Sequence, residues 1–117
     1  EDTIYQYNAC NGIIEPHVVM NGKVFLYSNE DGLFWSLKKG DIVTFEFSVD
    51  NQYLFGNKGG LSVGYIKDEE PIFIECIDIN KQGQLKFQVL QDGAYQFYVI
   101  GADSEPVLVN WIKISIT

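Results

Sequence analysis

The sequence predicts an all-β chain, an antiparallel two-sheet β-sandwich of jelly-roll type with about eight or nine strands. Three observations carry this expectation. Residues 33–49, LFWSLKKGDIVTFEFSV, hold two runs of period-two alternation around Lys39-Gly40-Asp41, the pattern of half-buried strands either side of a turn. Clusters of Gly, Asn and Asp recur roughly every ten residues through the rest of the chain. No stretch carries the 3.6-residue periodicity of a helix long enough to connect parallel strands.

Residues 1–8 are polar but for Ile4, Tyr5 and Tyr7, and the start of the chain reads either as a loosely docked arm, residues 1–12, or as a short first strand. After Asn11-Gly12 the segment Ile13–Met20 is extended but contains Pro16, which confines it to a sheet edge or a bulge. Asn21-Gly22 carries a two-residue hairpin signal into Lys23–Ser28. Both faces of that strand are apolar, Val24 and Leu26 on one, Phe25 and Tyr27 on the other. Leu33, Trp35 and Leu37 then alternate with Phe34, Ser36 and Lys38, and beyond the Gly40 turn Val43, Phe45, Phe47 and Val49 form an inward set. The two runs are expected to pair as a hairpin around which a second apolar layer is built.

Residues 50–60 are irregular, and their Tyr53, Leu54 and Phe55 are expected to anchor the loop on the core rather than to meet a partner. Leu61–Lys67 and Ile72–Ile79 flank an acidic turn at Asp68-Glu69-Glu70, and Glu75 leaves the inward face of the second strand open. Gln84–Leu90 turns Leu85, Phe87 and Val89 inward. Ala94–Ile100 presents Tyr95, Phe97 and Val99 to one face and Gln96 and Tyr98 to the other. In the final strand, Val107–Ile116, the more apolar face is Leu108, Ile112, Ile114 and Ile116. Turning it inward puts Trp111 outside, whereas a register one residue off puts Trp111 in the core. No linker or repeat divides the chain, so residues 1–117 read as a single domain.

At 117 residues, 46% apolar and 15% aromatic, the chain is long enough to bury one core without metals. Net charge is −8, and all eight basic residues are lysines. Without arginine, the side chain suited to bidentate phosphate and guanine contacts, nucleic acid is a poor partner, and so is an anionic membrane. No segment approaches the roughly 18 apolar residues of a membrane span, so no membrane insertion is expected. Nor is there a signal-peptide pattern, although a start at Glu1 rather than Met is consistent with a leader removed by processing or by cloning.

Chemistry-bearing residues are sparse. His17 is the only histidine, and a catalytic triad would need Ser104 or Cys10 to fold beside it. Gly60-Leu61-Ser62-Val63-Gly64 spells the nucleophile-elbow string, but no helix follows as that elbow requires. Asn29, Asp31 and Asp50 are candidate calcium donors without the spacing of a calcium loop. Glycine-rich phosphate loops are absent. The expectation is therefore no catalytic residue, no metal site and no cofactor. Cys10 and Cys76 read equally as two separate thiols or as a disulfide, which would close a long loop and stabilise the fold by about 4 kcal/mol.

WSLKKGDIVTFEFSVD, LSVGYIKD and LKFQVLQDGAYQFYVIGADSEPV, taken together, resemble the β-sandwich modules of small secreted proteins of Gram-positive bacteria. In outline they are similar to the Golgi-dynamics (GOLD) sandwich. The shared features are Leu37, Gly40 and Asp41 at a strand entry and Gly93, Tyr95 and Phe97 late in the chain. The resemblance covers residues 36–117 and rests on turn glycines and core aromatics. It implies an extracytoplasmic, secreted domain of binding or adaptor type and names no ligand.

The functional expectation is a non-catalytic module that recognises a protein or a cell-surface component. A carbohydrate-binding module recognising a surface glycan is the alternative, and a small hydrolase comes third. Candidate contact residues are Trp111, with Phe25, Tyr27 and Tyr98 as further aromatic platform, because an exposed aromatic face stacks on a sugar ring or a partner surface.

Overall fold

The computed structural model describes residues 4–51, 60–78, 81–102 and 106–117, and among these there are eleven strands and no helix. One sheet runs β1 (Ile4–Asn8), β4 (Val24–Ser28), β10 (Gly93–Gly101), β7 (Gly60–Lys67), β8 (Glu70–Asp78), with the short β5 (Trp35–Leu37) continuing the β4 position along β10. The other runs β11 (Val107–Ile116), β6 (Ile42–Asn51), β9 (Lys81–Gln88), with β2 (Ile13–Ile14) and β3 (His17–Val19) sharing the free side of β11. We call them the β10 sheet and the β6 sheet. All neighbours are antiparallel except β1, which runs parallel to β4.

The strand count exceeds the expected eight or nine because one expected strand comes in halves and residues 4–8 form a strand of their own. Pro16 breaks the extended 13–20 segment into β2 and β3, both on the edge, where a residue without an N–H is tolerated. The Asn29–Phe34 loop separates β4 from β5; Asn29 Oδ1 accepts from the N–H groups of Asp31 and Leu33 at 2.9 and 3.0 Å. Residues 4–8 form the paired strand β1, the second of the two readings for that segment.

Two expected hairpins are instead crossings between sheets. β5 pairs with β10 and β6 with β11 and β9, so Lys39-Gly40-Asp41 carries the chain from one layer to the other. Asn21-Gly22 does the same between β3 and β4. The local geometry is that of a turn: Asp41 N–H donates to Lys38 O at 2.9 Å, Lys38 N–H to Asp41 Oδ2 at 2.8 Å, and Gly40 takes φ 97°. The Gln91–Gly93 crossing is tied to it by Lys39 N–H donating to Asp92 Oδ1 at 2.7 Å. Turn chemistry specifies a reversal, and tertiary packing decides which sheet the next strand joins.

The core lies between the sheets. Phe45 meets Phe97 edge-on at 5.0 Å, and Tyr65 stacks on Phe87 at 5.2 Å. Around them Val43, Val49, Val63, Val99, Val107, Val109, Ile112 and Ile114 are buried. Two β-bulges adjust the pairing. In β11 the register shifts between Val109 and Trp111, so Val107 and Val109 face inward before Asn110, and Ile112 and Ile114 after it. In β8 a second shift lies opposite Val63 and Gly64, which resolves the conflict around Glu75 by changing the inward parity partway along the strand.

Candidate functional site: the Trp111 face and the edge of strand β9

The bulge at Asn110 creates the site. Because one extra residue sits opposite a single residue of β6, the side-chain alternation of β11 reverses there, and Trp111 points away from the core at 37% exposure. Asn110 is held in its bulged position by its own amide, which donates to Ser48 Oγ at 3.1 Å and to Asp50 Oδ2 at 2.7 Å. Cross-strand pairing places Trp111 opposite Ser48, with Lys113 opposite Glu46. One strand further, Gln82 lies opposite Ser48 and Gln84 opposite Glu46. The outer face of the β6 sheet thus presents an indole beside a carboxylate and two amides, around a hollow of about 370 Å³ lined by Trp111, Glu46, Gln82 and Gln84 with Phe47 and Gly83.

A second hollow, about 280 Å³, lies where the edge strands β8 and β9 face each other across the sandwich. Glu75, Ile77 and Leu85 line it, and it shares Phe47, Gln82, Gly83 and Gln84 with the first. Such a surface can offer apolar area for the C–H face of a sugar ring and, from the amides and carboxylates, donors and acceptors for hydroxyls.

The other candidate aromatics stand elsewhere. Phe25 and Tyr27 are 4% and 0% exposed and point into the core, so the expectation that they share an outer platform with Trp111 is corrected. With apolar residues on both faces of β4, alternation could not choose, and packing turned Val24 and Leu26 outward instead. Tyr98 does lie on the outer face of the β10 sheet, but it is only 6% exposed, flattened over Gly64 across the strand pair. Burial pushes its phenol above the usual range.

His17 is 7% exposed and stacks on Tyr7 at 4.4 Å and Phe25 at 5.1 Å. Its Nδ1 lies 2.8 Å from Glu15 O, which can only accept, so Nδ1 carries the proton and Nε2 accepts from Tyr27 Oη at 2.8 Å. Burial lowers its pKa below 6.5 and raises that of Tyr27. With both nitrogens occupied, the imidazole is a core hydrogen-bonding group and no general base. Ser62 sits mid-strand in β7, its Oγ 3.8 Å from Cys76 Sγ, far from the geometry of a nucleophile elbow.

Cys10 and Cys76 are both exposed and free. Cys10 follows β1 at one edge of the β10 sheet and Cys76 lies on β8 at the other, four strand spacings away, which is ~19 Å at ~4.8 Å per spacing. A disulfide needs Cα atoms within about 7 Å, so the two cannot pair within one chain. Asn29 and Asp31 sit between β4 and β5, whereas Asp50 lies on the β6 sheet beside Asn110. Among the described residues no group of three or more His, Cys, Asp or Glu is placed to hold a metal ion. Tyr53, Leu54, Phe55 and Ser104 lie outside the described residues.

Gly83 was missed in the sequence, where it read as part of the turn before Gln84. Its one sequence signal is a glycine flanked by Gln in a stretch that continues directly into an alternating strand.

No family model matches the chain, and no curated protein matches it by sequence. Solved structures do. The C-terminal CBM6 of LamC, a marine laminarinase from Zobellia galactanivorans, superposes with TM-score 0.54 at 15% identity over 88% of this chain and 78% of that one. A structure described as CBM4 gives TM-score 0.57 at 9% identity over 93% and 74%. PliG, a periplasmic inhibitor of g-type lysozyme from Aeromonas hydrophila, gives 0.55 at 14% over 98% and 100%. The shared feature is the β-sandwich.

Proposed function

We propose that this chain is a non-catalytic, extracytoplasmic carbohydrate-binding module whose platform is Trp111. The observation that carries this reading is the exposed indole beside Glu46, Gln82 and Gln84, held outward by the Asn110 bulge at the rim of a hollow. A large apolar ring in a setting of amide and carboxylate groups is what a pyranose needs, stacking below and hydrogen bonds at its edge. Carbohydrate-binding modules among the structural neighbours support the same reading at the level of fold. The net charge of −8 disfavours anionic polysaccharides, so the glycan is neutral.

Affinity electrophoresis in gels containing laminarin, xylan, mannan or polygalacturonate tests it. Retardation by a neutral polysaccharide, abolished in Trp111→Ala with the melting temperature kept within a few degrees, is the expected result. Truncating such an anchor costs about 2 kcal/mol or more of binding. No retardation in any neutral gel, or equal retardation of wild type and variant, sinks the platform.

A protein partner is the second reading. It is favoured by strand β8, the edge of its sheet among the described residues, where Phe73 is 58% and Ile72 40% exposed. Apolar side chains on a free edge suit contact with another chain.

A further inference from the structure

We propose that Gly83 is a specificity residue: its missing side chain keeps a groove open over the edge of β9, joining the Trp111 platform to the cleft between the sheets, and the groove takes the continuing units of a neutral oligosaccharide. This rests on the carbohydrate reading above and extends it to chain length and path.

Gly83 has no structural reason to be glycine. Every other described glycine either takes a positive φ, as Gly12, Gly22, Gly32, Gly40 and Gly93 do, or, as at Gly60, Gly64 and Gly101, has a backbone atom pressed against the site of a Cβ. At Gly83 a Cβ would meet only the tip of the Phe47 ring, Cζ at 3.4 Å and the two Cε atoms at 4.0 Å, which is ordinary van der Waals contact. A side chain there would cover Phe47 and fill a gap, and a residue other than glycine suits a strand better. The position is therefore worse for the fold than it needs to be, the mark of a site kept for something else.

What the gap does is geometric. Gly83 pairs with Phe47, so its absent side chain points between the sheets, at the edge where β9 faces β8. Both hollows, about 370 and 280 Å³, are lined by Phe47, Gln82, Gly83 and Gln84, so they adjoin at this point. A chain stacked on Trp111 and running across β6 to β9 meets the notch next, with the Phe47 ring tip as apolar floor and Glu75 at the far rim. Carboxylates stand at both ends, Glu46 and Glu75, and no lysine lines either hollow among the described residues. The pair accepts hydroxyl hydrogen bonds and repels a uronate, which selects a neutral chain.

Isothermal titration of wild type, Gly83→Ala, Gly83→Val and Trp111→Ala with laminari- and xylo-oligosaccharides of two to six units tests this. In wild type the affinity for one series climbs at least tenfold from the trisaccharide to the hexasaccharide. Gly83→Val removes that climb, bringing hexasaccharide affinity down to that of the trisaccharide, Gly83→Ala reduces it, and neither variant melts below wild type. Trp111→Ala loses the whole series. A hexasaccharide affinity unchanged in both Gly83 variants, with wild type still binding, overturns the role of Gly83 and leaves the platform standing. Loss in Gly83→Val with Trp111→Ala unaffected overturns the joined groove through its platform end. Wild type that binds none of the sugars overturns both this proposal and the reading beneath it.

Discussion

His17 is held neutral by burial, against the opposing effect of its hydrogen bond to Glu15 O, and that has a consequence for stability. Its folded pKa lies below the unfolded value of 6.5, so under acid the unfolded chain binds the extra proton. Stability is therefore complete above about pH 6.5 and falls as the pH drops through that value toward the lowered one. Comparing melting temperatures of wild type and His17→Gln from pH 7.5 to pH 5 isolates this contribution, because carboxylate titration is common to both. A wild-type curve falling no more steeply than the variant's refutes the neutral assignment. At the same scale, Phe45 is packed edge-on against Phe97 with 2% exposure. Phe45→Ala should cost about 3–5 kcal/mol in a denaturant melt, and a loss under about 1 kcal/mol would place the ring elsewhere.

At the scale of the strand, the two bulges do the most. A strand that alternates without interruption buries one parity along its whole length, but β11 buries Val107 and Val109 and then Ile112 and Ile114. One extra residue is enough to serve both the core and an exposed indole. Close approach is the other device. Gly64 of β7 lies under the Tyr98 ring and beside Ile72 O, where a Cβ would collide with both. Gly64→Ala, in a strand flanked on both sides, should lower stability by about 2 kcal/mol or more, whereas Gly83→Ala on the edge should not lower it at all. Equal effects of the two substitutions would mean that neither contact is as tight as its geometry.

For the molecule as a whole, the sandwich leaves open sides, and the chain's features divide between them. The β1 and β3 side is closed by stacked rings, Tyr5 on Phe25 at 4.7 Å and Tyr7 on His17 at 4.4 Å. The β8 and β9 side carries the cleft, Phe73 and Cys76. With Cys10 at the first side and Cys76 at the second, the thiols report on separate edges. Ellman's reagent should titrate two thiols per chain in the native protein without denaturant or reductant. Fewer than two on a monomeric chain would require a bridge that the sandwich geometry forbids.

Much of this was legible in the residues because period-two alternation is a local property: β6 and β9 declare their inward faces through Phe45 and Phe47 and through Leu85 and Phe87, whatever their neighbours. The absence of helix and the turn positions came from the same source, whereas alternation left Trp111 open between two registers and the bulge at Asn110 turned it outward. What only the tertiary structure decided was anything that depends on another strand. Val24-Phe25-Leu26-Tyr27 is apolar on both faces, so its orientation followed from which side met the second sheet. The Lys39-Gly40-Asp41 turn specifies a reversal but not a partner, and the chain changed sheets there. Asn110 carries no local signature of its role and Gly83 only its place between two glutamines, since a bulge is defined by a register against β6 and a notch by the ring that lies behind it. Alternation is written along one strand, whereas register, crossing and cleft arise only where two strands meet.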